Sequence, residues 1–262
     1  MVQDPRISRL LHDIFGLDFK QFKGNPENLK AAFYSHDLTL FDLRQVFNLI
    51  NASELSTPFP DEPTRSITIP ASILIGKPDA TEAVLCLSQV HGNEPVGLSV
   101  MLFAMAMAEA DLLRCKVYGA IGNDSAARYY WEAYEDNPDS PPYLRANTRT
   151  LVGEEEKIDL NRFLPERAVQ ARENRNKLIH MLLASDNVML RRGAKLCSIA
   201  CLPEVEMIFD PHTSRQEPDG IRTINISGTQ LARLEHAEGH HAGLLRGVPR
   251  DIRVFPAGLL GN

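Results

Sequence analysis

Apolar and polar positions along the first 60 residues follow the period of an amphipathic helix. Apolar side chains recur every three or four positions over residues 7–14 and again over residues 40–50. A Gly-Asn-Pro-Glu run at 24–27 separates the two stretches, and prolines at positions 58, 60 and 63 then interrupt the chain. The pattern predicts a helical N-terminal appendage over residues 1–60.

From residue 61 onward, the pattern alternates between strand and helix signals. Residues 82–90 (EAVLCLSQV) are an apolar run of strand length, residues 91–95 have turn composition, and residues 97–110 (GLSVMLFAMAMAEA) favour an apolar helix. Residues 205–209 (VEMIF) indicate a second short strand. This alternation predicts an α/β domain over residues 61–262, with a mixed, mostly parallel sheet flanked by helices.

Potential metal ligands follow both of these strands. His91 and Glu94 come directly after the first strand, and His212 comes after the second. A His and a Glu three residues apart lie on one side of a helical turn, so both can reach one ion. An isolated His-x-x-Glu pair is more often a solvated helix pair, but ligands of α/β sheets bind at the carboxyl ends of strands. Two His and one carboxylate leave a tetrahedral zinc ion one open position, which is typical of a catalytic site.

A second polar block, residues 159–162, contains a possible anion clamp. Arg162 carries a planar fork of donors that can grip a carboxylate, and Asn161 can add a directional hydrogen bond. Asp159 is a candidate hydrogen-bond partner for a metal-bound imidazole, with a helix N-cap as the alternative. Asp210, two residues before His212, is assigned the same supporting role.

Three blocks together resemble the signature of a known family. The sequences HGNEP at 91–95, DLNRF at 159–163 and DPHT at 210–213 are similar to those of the succinylglutamate desuccinylase and aspartoacylase family of zinc carboxypeptidase-like hydrolases. The resemblance implies zinc bound by His91, Glu94 and His212, and a substrate carboxylate held by Asn161 and Arg162. It also implies a zinc-carboxypeptidase-like fold and hydrolysis of an N-acyl amino acid, such as N-succinylglutamate or N-acetylaspartate, by zinc-bound water.

The chain departs from the family pattern in two places. The family's general-base Glu is not located, because its spacing falls near or beyond Asn262, and three downstream acids are more typical of surface charges, namely Glu217, Glu235 and Glu238. We therefore expect either a domain that is incomplete at its C-terminus or one that lacks this Glu. An arginine that often precedes the second block is replaced by acids at 154–156, and Arg145 or Arg149 could substitute for it, with Arg149 assigned to substrate binding.

Two other functions use the same residues. A zinc carboxypeptidase acting on peptides would need the same ligands and Arg162, and a metal-binding homologue of little activity would lack only the general base. Either alternative would still bind the metal.

The composition of the chain limits the classes of partner that we expect. A net charge of −6 without a basic run argues against a nucleic-acid surface, so the expected partner is a small acidic substrate. No apolar run approaches the roughly 18 residues of a membrane helix and no signal peptide is recognisable, so we expect a cytoplasmic protein without a membrane partner. Four cysteines lack zinc-ribbon spacing and are predicted to be thiols with a packing role. A homo-oligomer is left open.

Overall fold

The computed structural model describes residues 4–59, 62, 64–136, 160 and 175–210, and the backbone of two short strands at 212–213 and 224–225. The helices are α1 (Pro5–Phe15), α2 (Pro26–Tyr34), α3 (Leu40–Asn51), α4 (Val96–Glu109), α5 (Asp124–Asp136), α6 (Arg175–Leu183) and α7 (Val188–Ala200), with a 3-10 helix at Phe19–Phe22. The strands are β1 (Glu54–Pro58), β2 (Ser66–Pro70), β3 (Ser72–Ile75), β4 (Ala83–Ser88), β5 (Lys116–Ile121), β6 (Val205–Phe209), β7 (His212–Thr213) and β8 (Ile224–Asn225).

A four-stranded sheet in the order β3-β5-β4-β6 forms the centre of the fold. Strand β4 runs parallel to both of its neighbours, β5 and β6, whereas β3 is antiparallel at one edge. The prediction of an α/β protein with a mixed, mostly parallel sheet is therefore confirmed. Two antiparallel pairs, β1-β2 and β7-β8, lie outside this sheet.

Helices cover both faces of the central sheet. Side chains along β4 alternate, so Cys86 packs into one core while Leu85 and Leu87 pack into another. The first core contains residues of α1 to α5, and the second contains residues of the β1-β2 hairpin, α6 and α7. The result is a three-layer arrangement with the sheet in the middle.

The N-terminal helices share their core with α4 and the sheet. The predicted apolar stripe of α1 is buried throughout, at Ile7, Leu10, Leu11 and Ile14. Helix α4, against which the N-terminal helices pack, is apolar on all sides, as expected for a helix that lies between other helices and a sheet. The first strand begins at Glu54, before the predicted boundary at residue 60.

Cys86, Cys115 and Cys197 are buried free thiols, as predicted, and Cys201 is partly buried. Among the helices that the structure describes, none combines the length and the apolar character that crossing a membrane requires.

Candidate functional site

The predicted ligand pair lies in a tight turn between β4 and α4. Strand β4 ends at Ser88, and the backbone N–H of Glu94 donates a hydrogen bond of 2.9 Å to the carbonyl of His91, which closes the turn. Both side chains are buried, each with only 3% of its surface exposed. The Nδ1 atom of His91 lies 3.2 Å from Oε2 of Glu94. The structure therefore brings the two residues together, as the spacing predicted, and excludes a solvated surface pair.

This separation matches two ligands of one ion. Nitrogen and oxygen ligands about 2.0–2.2 Å from a tetrahedral zinc lie about 3.4 Å from each other. A distance of 3.2 Å also suits a hydrogen bond, so the two atoms can share a proton when no metal is bound. The types of the two donor atoms and their spacing are therefore compatible with a shared zinc ion.

Strand β6 brings a second acidic residue to the same edge of the sheet. It lies parallel to β4, with Phe209 in register with Cys86, and Asp210 follows as a buried residue with 5% exposure. Burial raises the pKa of the Cys86 thiol, and the nearby charge of Asp210 raises it further. Asp210 is therefore close to β4, at the carboxyl end of the sheet where His91 also lies.

The third predicted ligand lies on β7, the strand that begins at His212 and contacts α4. Its backbone pairs with β8, with His212 opposite Asn225. The side chain of His212 lies outside the part of the structure that is described. Among the described side chains, no group of three or more His, Cys, Asp or Glu residues could hold a metal ion.

The remaining predicted site residues, Asp159, Asn161, Arg162 and Arg149, lie outside the described residues. So do the three downstream acids, Glu217, Glu235 and Glu238. Leu160, between Asp159 and Asn161, is described and is fully buried in the second core.

A buried glutamine that the sequence analysis did not single out stabilises the turn at His91–Glu94, which is called the ligand turn below. Gln89 has a φ of 51°, and its amide Nε2 donates to the carbonyl of Gly92 inside the turn. Its Oε1 accepts a hydrogen bond of 3.0 Å from Nε1 of Trp131 on α5. The only sequence signal was a polar residue at the end of an apolar strand, directly before the His91 turn.

Close backbone contacts hold the turn on its other sides. A Cβ atom at Gly92 would overlap the backbone of Ala126 on α5, and one at Gly122 would overlap the backbone of Val90. The N–H of Gly122 donates to the carbonyl of Ser88 over 2.7 Å, which joins the carboxyl ends of β4 and β5. Glycine is required at both positions because only a hydrogen fits there.

A second unpredicted residue, Arg192 of α7, binds the carboxyl end of β5. Its guanidinium is buried and donates to the carbonyls of Ile121, Gly122 (3.1 Å) and Pro70 (2.8 Å). Burial lowers the pKa of Arg192, and the Asp124 carboxylate, 4.0 Å from its Nε, opposes that effect. The guanidinium links α7 to the loop that contacts the ligand turn.

Comparison of the chain with protein-family models, with characterised proteins and with solved structures found no match. The proposals that follow therefore depend on the residues and their geometry.

Proposed function

We propose that this chain is a zinc-dependent amidohydrolase that removes the acyl group from an N-acyl amino acid. We place it with the succinylglutamate desuccinylase and aspartoacylase family and with the zinc carboxypeptidase-like fold. The observation that carries the proposal is the buried pair of His91 and Glu94, with 3.2 Å between Nδ1 and Oε2 at the carboxyl end of β4. A buried acid and imidazole at that edge are expected of a ligand site.

The three proposed ligands would reach the ion from two places in the fold. His91 and Glu94 would hold the ion from one turn, and His212 would approach from β7, which contacts α4. The carboxylate of Glu94 supplies negative charge in a buried place, where it needs a positive partner. When bound, zinc would supply a hydroxide nucleophile at neutral pH and polarise the scissile carbonyl.

The substrate class follows from the polar block at 159–162. Arg162 would bind a carboxylate of the substrate through two parallel hydrogen bonds, with Asn161 and Arg149 beside it. Asp159 and Asp210 would accept hydrogen bonds from ligand imidazoles, which fixes the orientation of the rings. Acidic N-acyl amino acids, such as N-succinylglutamate or N-acetylaspartate, present the amide and the carboxylate that this arrangement needs.

Zinc titration of the full chain, followed by assays on N-acyl amino acids, tests the proposal. The wild type should bind one zinc ion per chain, and His91→Ala should abolish that binding. His12→Ala is the matched control, because His12 is an exposed imidazole on α1 and should leave zinc binding unchanged. Equal zinc binding by the wild type and His91→Ala would contradict the proposal.

Assays on both N-acyl amino acids and peptides distinguish a deacylase from a carboxypeptidase and from a metal-binding homologue of little activity. N-acyl amino acids should be cleaved in preference to peptides with a free C-terminus, at a low rate because the family's general-base Glu is not located in this sequence. Arg162→Ala should raise the KM for the N-acyl amino acids. Preferential cleavage of peptides would instead establish a carboxypeptidase. Zinc binding without turnover of either class would favour the alternative of a metal-binding homologue of little activity.

A further inference from the structure

We propose that Gln89 is a positioning residue that fixes the ligand turn for metal binding, and that Trp131 holds Gln89 in place. This inference rests on the proposed zinc site. It adds two residues to that site, neither of which belongs to the three sequence blocks.

The two hydrogen bonds of Gln89 reach opposite sides of the turn. Trp131 Nε1 can only donate and the Gly92 carbonyl can only accept, so the bridging side chain must offer one acceptor and one donor. The two partners also fix which amide atom faces which side. A glutamine side chain meets both requirements, whereas a carboxylate cannot donate and an aliphatic chain can do neither.

Gly92 lies between the two ligand residues, so its position sets the geometry of the pair. The hydrogen bond from Gln89 fixes the orientation of the peptide group that joins Gly92 to Asn93. His91 precedes this peptide and Glu94 follows it, and His91 Nδ1 lies 3.2 Å from Glu94 Oε2. A small rotation of the peptide would change that distance and move one ligand away from the ion.

The backbone of Gln89 supports a role other than packing. Its φ of 51° lies in the left-handed region, which non-glycine residues avoid and where Asn is among the better tolerated. Strained residues of this kind cluster at functional sites, where the surrounding structure enforces them. Here both side-chain hydrogen bonds and the 3.0 Å bond from Asn123 N–H to the Gln89 carbonyl enforce it.

Two substitutions at Gln89 separate positioning from folding. Gln89→Met keeps the length and neutrality of the side chain but removes both hydrogen bonds. Gln89→Asn suits the left-handed backbone better, yet its amide is too short to bridge Trp131 and Gly92. Trp131→Phe removes the donor to Gln89 and also reduces the size of the buried ring, and the Phe47→Leu variant controls for the loss of packing. Trp131→Phe carries the test if Gln89→Met does not fold.

Phe47→Leu is the matched control. Phe47 packs against Trp131, with 5.8 Å between ring centroids, and makes no hydrogen bond to the ligand turn. This variant should lose stability without any direct effect on the turn. Because global stability does not alter the Kd of a protein that is fully folded at the titration temperature, a purely structural role predicts unchanged zinc binding in all variants.

The experiment measures the Kd for Zn²⁺, the thermal midpoint and the visible absorption of the Co²⁺-loaded full chain. We expect Zn²⁺ binding to weaken about 10–100-fold in Gln89→Met, Gln89→Asn and Trp131→Phe, with an altered Co²⁺ spectrum, and to stay unchanged in Phe47→Leu. Zn²⁺ affinities of the Gln89 variants within about threefold of the wild type would overturn the inference while leaving the proposed function intact. A wild-type chain that binds no Zn²⁺ would overturn both.

Discussion

At the scale of single residues, three glycines allow the ligand turn to sit where it does. Gly92 faces the backbone of α5, Gly97 faces β4 and Gly122 faces Val90, and a Cβ atom at any of them would overlap neighbouring backbone atoms. Overlap with backbone is expensive to relieve, because a main chain within a helix or strand cannot move as a side-chain tip can. These glycines therefore hold β4, α4 and α5 close together around His91 and Glu94.

Gly92→Ala should both destabilise the fold and weaken zinc binding. The added methyl group must push the turn away from α5, and overpacking of this kind typically costs about 1–3 kcal/mol. Thermal unfolding and zinc titration measure the two effects. Gly24→Ala is the control, because Gly24 has a φ of +72° with nothing near its Cβ and lies between the 3-10 helix and α2. It should lose stability alone, so a normal zinc Kd for Gly92→Ala would contradict this account.

At the scale of elements, Arg192 connects helix α7 to the ends of β2 and β5, next to the candidate site. Arg192 supplies three hydrogen bonds to backbone carbonyls from one buried guanidinium. Pro70 and Ile121 are the last residues of β2 and β5, and Gly122 follows β5, so the three carbonyls lie where these strands end. The buried charge of Arg192 is stabilised because its guanidinium donates to three backbone carbonyls.

Arg192→Met should destabilise the protein by about 3 kcal/mol or more, because buried carbonyls left without donors each cost about 1–3 kcal/mol. Chemical denaturation measures the change in the free energy of unfolding. Arg191→Met is the neighbouring control, since Arg191 donates only to the local carbonyls of Ser185 and Asp186 near the surface. A loss for Arg192→Met no larger than that for Arg191→Met would show that α7 is held by apolar packing instead.

Sequence periodicity was sufficient to predict the elements that adjoin the proposed metal ligands. Residues 205–209 form the predicted strand β6, and the predicted helix at 97–110 is α4 at Val96–Glu109. Both are apolar runs with clear breaks at their ends, so local pattern determines them. The pairing of His91 with Glu94 was predictable for the same reason, because it depends on a spacing of three residues.

The supporting contacts could not be predicted because their partners are distant in sequence. Gln89 and Trp131 are 42 residues apart, and Arg192 and Gly122 are 70 apart. A glutamine near a strand end and an arginine in a helix have no local feature that names such partners. Their roles become visible only when the sheet places β4, β5 and α7 together.

At the scale of the whole molecule, the N-terminal helices and the sheet form one core. Ile7 of α1, Phe33 of α2 and Val46 of α3 belong to the same buried cluster as Met101 of α4 and Cys86 of β4. A helical stripe in the sequence shows that a face is buried but does not show what buries it. The shared core leads us to expect that the N-terminal helices unfold together with the sheet.

Ile7→Ala should therefore lower the stability of the whole chain, by about 2–5 kcal/mol. The single tryptophan, Trp131, reports on the core through its fluorescence, and far-UV circular dichroism reports on all helices. The two transitions should coincide and shift together, while Arg9→Ala, at an exposed position on the same helix, should change little. Separate transitions for the two probes would instead show an independently folding N-terminal unit.

We propose that three residues from two strand ends hold one zinc ion. Anomalous diffraction at the zinc edge, from crystals of the zinc-loaded chain, tests it most directly because it locates the ion and identifies its ligands together. We expect one zinc ion about 2.0–2.2 Å from a ring nitrogen of His91, a carboxylate oxygen of Glu94 and a ring nitrogen of His212. An ion bound elsewhere, or a His212 side chain directed away from the His91 and Glu94 pair, would contradict the account.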